Sequence, residues 1–196
     1  MKSVASITQT IYSHPWEPFI PAGARIVMLG TFPPKEDKWS MDFFYPNFQN
    51  DFWRIMGLIF LGNKEALYDD KPGKFNLEAI KSLMNERRIA IYDTARTVRR
   101  LKDNASDKFL EIVDQVDLKR LLAKMPECRA IAATGEKASG VIAAQMGISV
   151  PKTGEMEISG EGFHIWRMPS SSRAYPLKVE AKAEYYRRML ESEGIV

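Results

Sequence analysis

Four short apolar runs divide this chain: Arg25-Ile-Val-Met-Leu-Gly30, Arg88-Ile-Ala-Ile-Tyr-Asp93, Cys128-Arg-Ala-Ile-Ala-Ala-Thr134 and Phe163-His-Ile-Trp-Arg-Met168. The first three are nearly continuous in apolar residues, and each is closed by a turn signal. An antiparallel strand with one wet face alternates polar and apolar side chains, whereas a strand covered on both faces has no reason to alternate. The runs therefore predict central strands of a mostly parallel sheet.

Between them lie segments with helical spacing. Asn50 to Leu61 carries Phe52, Ile55, Met56, Ile59 and Phe60 at intervals of three and four, and Leu77 to Arg88 presents Leu77, Ile80, Leu83 and Met84. A short amphipathic piece, Leu118 to Lys124, stops before Pro126. Glu136 to Met146 starts directly after Gly135 with an acidic residue, as suits a helix N-terminus. Leu177 to Glu193 turns Val179, Ala183, Tyr186 and Leu190 inward. Strands alternating with helices predict a three-layer α/β/α sandwich around a mostly parallel four-stranded sheet. Asp69 to Lys74 reads as a surface turn, and Pro151 to Gly162 as a loop or hairpin before the last strand. With 196 residues and no repeat or linker composition, the expectation is a single domain over 1–196.

Charge excludes little: 28 basic against 25 acidic residues leave a net of +3, so any nucleic-acid footprint must be local. Cys128 is the only cysteine, which rules out an internal disulfide and a cysteine metal cluster; with only His14 and His164 beside it, a zinc site would need carboxylates to complete it, and no metal is expected. The N-terminal stretch lacks a signal-peptide apolar segment and no run is long enough to span a membrane, so a reducing cytoplasm is the expected setting.

Ligands of open parallel sheets bind at the carboxyl ends of the strands. The segments to inspect are thus Thr31-Phe-Pro-Pro34, Asp93-Thr-Ala-Arg96, Gly135-Glu136 and Pro169-Ser-Ser-Ser-Arg173. The first leads into Asp42-Phe-Phe-Tyr-Pro-Asn-Phe-Gln-Asn-Asp-Phe-Trp53, where aromatics mix with amides, acids and proline. Phe52 and Trp53 read as core, and Tyr45, just outside the helix, as a ligand-facing ring able to stack on a base. Asn47 or Asn50 can cap the helix, and an amide can equally donate and accept towards a base edge or a water. The serines before Arg173 suit a helix cap or a phosphate grip, but no glycine-flanked elbow marks a nucleophile. Asp93, followed by Arg96, Arg99, Arg100, Lys102 and Asn104 to Asp107, is either a turn leading into a solvated helix face or a DNA-facing loop. His164, alternating with Phe163 and Ile165, reads as structural.

Gly30-Thr-Phe-Pro-Pro34 with Phe44-Tyr-Pro-Asn-Phe-Gln-Asn-Asp-Phe-Trp53, taken together with Met168-Pro-Ser-Ser-Ser-Arg173, resembles the two motifs of the uracil-DNA glycosylase superfamily, nearest to its mismatch-specific and hypoxanthine-type branches. The resemblance extends over nearly the whole chain in the order and spacing of strands. It implies a DNA glycosylase of base-excision repair that flips out a deaminated or mismatched base, uracil or hypoxanthine, and hydrolyses its N-glycosidic bond as a monomer without a cofactor. It places Gly30, Thr31, Phe32, Pro33 and Tyr45 against the base, assigns Asn50 to catalysis, and gives Ser170, Ser171, Ser172, Arg173 and Tyr175 to the DNA backbone and the minor groove. One position departs from the pattern. Where many members carry Asp or Asn to position the water, this chain has Phe32, so Asn50, Asp42 or Asp51 must take that role, or the chain is not a uracil glycosylase. Two other functions fit the same residues: a non-catalytic nucleic-acid-binding member of the fold, and a small-molecule enzyme acting on a nucleotide or nucleoside. The lack of a P-loop or dinucleotide glycine motif argues against ATP or NAD chemistry.

Overall fold

The computed structural model describes residues 10–101 and 109–196. In chain order the elements are β1 (Ile11–Ser13), β2 (Ile26–Gly30), α1 (Phe52–Leu61), α2 (Leu77–Arg87), β3 (Ile89–Asp93), β4 (Ala95–Arg100), β5 (Leu110–Gln115), α3 (Leu118–Leu122), β6 (Ala130–Thr134), α4 (Glu136–Met146), β7 (Met156–Ile158), β8 (His164–Met168) and α5 (Val179–Ser192).

The four apolar runs are the four parallel strands, ordered β3-β2-β6-β8. Every residue of β2, β3 and β6 is buried, which is why those runs do not alternate. The sheet differs from the four-stranded expectation by one member. β7 pairs antiparallel with β8 and makes the sheet five-stranded and mixed. Its three residues are mostly exposed and are held by backbone pairing alone, so no apolar pattern announces them.

β2 connects leftward to β3 and β6 connects rightward to β8. With right-handed crossovers these connections fall on opposite faces. One layer holds α1 and α2, with α5 packed on α1. The other holds α4 over β6 and β8, and α3 tied to it where Gln145 Oε1 accepts from Leu118 N at 3.1 Å. The three-layer α/β/α arrangement follows.

The helices keep the expected places with shorter ends. Asn76 caps α2 by accepting from Ala79 N, and Asp117 caps α3 by accepting from Arg120 N. Glycines in the left-handed region, Gly62 and Gly147, close α1 and α4.

A second sheet, order β1-β4-β5 and wholly antiparallel, has no counterpart in the expectation. Thr94 alone separates β3 from β4, and the arginine-rich stretch that reads as a helix face is a strand. It buries Ala95 and Val98 with Leu110, while Phe32 and Ile112 pack over them. Arg96 and Arg99 lie on the outer face, near Asp114 and Glu111. Lys102 and Asn104 to Asp107 lie outside the described residues. Among the described residues, no helix is long and apolar enough to cross a membrane.

Cys128 lies fully buried just before β6, and burial pushes its thiol up to about 11. Thiol reagents at pH 8 are expected to leave the native protein unmodified and to label one site once it is unfolded in urea. Rapid labelling of the native state would mean that this end of β6 opens.

Candidate active site at the strand ends

The register brings the ends of the parallel strands level. Gly30 faces Asp93 across β2–β3, Leu29 faces Ala133 across β2–β6, and Thr134 faces Met168 across β6–β8. The chain direction reverses between β2 and β6, the topological switch point where open sheets form a crevice. The loops singled out in the sequence therefore gather at one edge, and the first of them is anchored there: Thr94 N and Oγ1 both donate to Gly30 O, at 2.9 and 3.1 Å, and Ala95 N donates to Thr31 O.

Tyr45 lies over the switch point. Its hydroxyl and that of Thr134, at the end of β6, share a hydrogen bond of 2.8 Å. Its ring stacks on Phe52 with centroids 3.8 Å apart and planes 10° apart. Phe52 thus covers one face of the ring. The backbone of Tyr45 has φ 49°, a left-handed conformation that costs a non-glycine residue about 1–3 kcal/mol. Such strain persists where surrounding contacts hold it, and here the stack and the hydroxyl bond do so.

Asn50 and the serine loop meet. Asn50 pairs with Ser172 in an isolated antiparallel bridge, and Asp51 N donates to Ser171 O at 2.9 Å. Asn50 Oδ1 accepts from Phe52 N at 2.9 Å, so the residue does cap α1 in part. Arg54 braces this turn by donating to Asn50 O and Phe48 O. Within the serine loop, Ser170 Oγ accepts from Ser172 N and Ser172 Oγ accepts from Ala174 N, which stiffens its backbone. Ser171 is buried and Ser170 lies against Gly135.

A buried charge network ties the loop to α1 and α5. Lys182, at 0% exposure, donates from Nζ to Asp51 Oδ2 at 2.9 Å and to Ser172 O at 2.8 Å. Arg173 Nε donates to Asp51 Oδ1 at 3.1 Å with its side chain half exposed. Tyr175 is half-buried.

Other expected residues are engaged differently. Pro33 O accepts from Arg100, whose guanidinium also lies over the Tyr12 and Phe32 rings. Phe32 is turned towards the second sheet, edge-on to His14 at 5.5 Å. Asp42 is exposed and accepts from Trp16 Nε1 at 2.7 Å. His164 Nδ1 and Trp166 Nε1 both contact Glu193, at the amino end of β8 and away from the crevice.

The sequence reading missed one pair. His14, following β1, places Nε2 2.9 Å from Asp93 Oδ2, with side chains 3% and 9% exposed. Asp93 stood out as the residue that closes an apolar run and opens one of the strand-end segments, but nothing in Ser13-His-Pro-Trp16 signals a partner 79 residues away. Oδ1 of the same carboxylate abuts Gly30. A methyl group at Gly30 would overlap it and lie 3.3 Å from the Tyr45 hydroxyl. Among the described residues, no three His, Cys, Asp or Glu side chains gather as metal ligands would.

A mixed α/β/α domain with polar and aromatic side chains gathered at its switch point defines the class of fold. The chain is similar to the solution NMR structure of "a putative Uracil DNA glycosylase from Methanosarcina acetivorans", with a TM-score of 0.63 and 22% identity over 93% of this chain and 99% of that one. At that identity the likeness establishes a shared fold. No family model matches the chain, and no curated protein does.

Proposed function

We propose that the chain is a single-domain DNA glycosylase that hydrolyses the N-glycosidic bond of a flipped-out deaminated base, uracil or hypoxanthine. The observation that carries this reading is that Gly30, Tyr45, Asn50 and the serine loop, far apart in the chain, gather at the carboxyl ends of the parallel strands. The similar fold of a protein described as a uracil DNA glycosylase supports the same reading.

The parts divide the work. Flipping a base costs a few kcal/mol, and stacking on an aromatic face returns about 1–3 kcal/mol, a role that suits the pinned ring of Tyr45. Gly30, Thr31, Phe32 and Pro33 would line the base and sugar. The hydroxyl protons of Ser170 and Ser172, whose oxygens accept within the loop, suit phosphate oxygens, while the buried Ser171 would serve by holding the loop against Asp51. Arg173 would exchange part of its contact with Asp51 for DNA, with Tyr175 beside it as a wedge. Asn50 would position the attacking water through its amide, which cannot itself take up a proton.

The test is an excision panel. Labelled single- and double-stranded oligonucleotides carrying uracil, hypoxanthine, xanthine or a G·T mismatch are incubated with the protein and cut with alkali at abasic sites. One lesion is expected to be excised, Tyr45→Ala to weaken binding of the lesion DNA by roughly 5–150-fold, and Asn50→Ala to slow excision. No excision of any lesion, with DNA still bound, would replace the reading with a non-catalytic binding module. Neither excision nor binding would leave a nucleotide-acting enzyme.

A further inference from the structure

We propose that Asp93 supplies the carboxylate that the first motif lacks at Phe32, with His14 as its positioning residue. The inference rests on the glycosylase reading and concerns how that same site performs the reaction.

Among the described residues, Asp42, Asp51 and Asp93 are separated by their surroundings. Asp42 is exposed and bonded to an indole. Asp51 has one oxygen on Lys182 and the other on Arg173, so both lone-pair faces are held by cations. Asp93 has only Oδ2 held, by His14. Its Oδ1 has no hydrogen bond from the protein among the described residues, although the side chain is nine-tenths buried. The buried side-chain atoms left unpaired among the described residues are Arg87 Nε, Arg100 Nε and Ser139 Oγ, so Asp93 Oδ1 is not sealed off, and a water or a ligand can reach it. That oxygen lies against Gly30, on the side towards the Tyr45 hydroxyl, where the absence of a side chain leaves room.

The position is also the right one. Phe32, at the motif's acid position, lies edge-on to the His14 ring. The pair thus reaches from β1 and β3 to the loop after β2, where the His14 ring meets that of Phe32. His14 is built to hold the carboxylate in either protonation state. Its Nδ1 lies 3.2 Å from Trp16 N, which can donate to it, and 2.9 Å from Trp16 O, to which it can donate when protonated. Nε2–H remains on Asp93 in both cases.

The reaction balances without any further reactant. The water oxygen bonds to C1′ of the sugar as the N-glycosidic bond breaks. The bonding electron pair leaves on the base nitrogen, which takes up a proton. Asp93 Oδ1 accepts the proton released by the water and returns it to solvent. Before that transfer, the ionised carboxylate lowers the energy of the oxocarbenium-like sugar.

Single-turnover excision and DNA affinity measured separately decide the matter, with thermal melting as the check of folding. Asp93→Asn preserves shape and is expected to slow excision by roughly 10²–10⁴-fold while DNA affinity stays near wild type. In Asp93→Ala, added formate is expected to restore part of the rate, which a purely structural role would not allow. His14→Gln, which keeps a donor, is expected to retain more of the rate than His14→Phe. Should Asp93→Asn fail to fold, the two His14 variants decide: equal, wild-type rates in both overturn the proposal. An active wild type with an unimpaired Asp93→Asn variant overturns it and leaves the glycosylase reading intact. A wild type inert on every lesion removes both.

Discussion

Replacing Asp51 with alanine is expected to lower the unfolding free energy by roughly 3–5 kcal/mol, because it strips the counter-charge from a buried ammonium. Lys182 is at 0% exposure, and its Nζ has two acceptors, Asp51 Oδ2 at 2.9 Å and Ser172 O at 2.8 Å. Without the carboxylate, one carbonyl must satisfy a full charge in the interior. The same substitution releases Arg173 and takes away the side chain that joins the start of α1 to the serine loop. Lys182→Met removes the charge instead and keeps an apolar stem in the same space. It leaves Asp51 paired with Arg173, so its cost should be smaller. Urea unfolding of the two variants measures the difference. If Asp51→Ala loses less than Lys182→Met, the network is not holding the loop in this way.

Phe52→Ala is expected to cost roughly 3–5 kcal/mol as well, through the cavity left by a fully buried ring. It should cost function beyond stability. Phe52 is the back wall of Tyr45, whose strained backbone depends on the stack at 3.8 Å. With the wall gone, Tyr45 is expected to relax out of its left-handed conformation, and lesion-DNA affinity should fall even well below the melting transition. Phe52→Leu fills most of the volume but offers no flat face. It should recover much of the stability and little of the affinity. Equal recovery of both would show that Tyr45 does not need the stack.

The contrast between these two positions shows what the sequence could reveal. Phe52 was legible because helical spacing marks a core ring whatever its partner. The central strands were legible for a related reason: burial on both faces leaves a local signature in β2, β3 and β6. β4 left a misleading one. Arg96, Arg99 and Arg100 look like a solvated face, and the inward residues Ala95 and Val98 are too few and too small to impose a period of two. β7 is held by backbone bonds, to which side-chain patterns are blind. In the site, the motif segments pointed to Gly30, Tyr45, Asn50 and the serines because glycine, aromatic and amide choices there are locally unusual. His14 and Asp93 are ordinary in their own neighbourhoods. Their meaning lies in a contact between residues 79 positions apart, which only the closed fold supplies.

The order of strands has a consequence for how this site comes into being. Its walls are drawn from His14 near one end of the chain, Gly30 and Tyr45, Asp93 and Thr134 in the middle, and Ser172 near the other end, and the contacts that join these segments are long-range in sequence. Parallel neighbours require long loops to close before any contact rewards the closure, so such sheets are slow to assemble. A chain that stops before β8 lacks the serine loop and the Asn50–Ser172 bridge, so that wall is added last, once β8 has found its place beside β6.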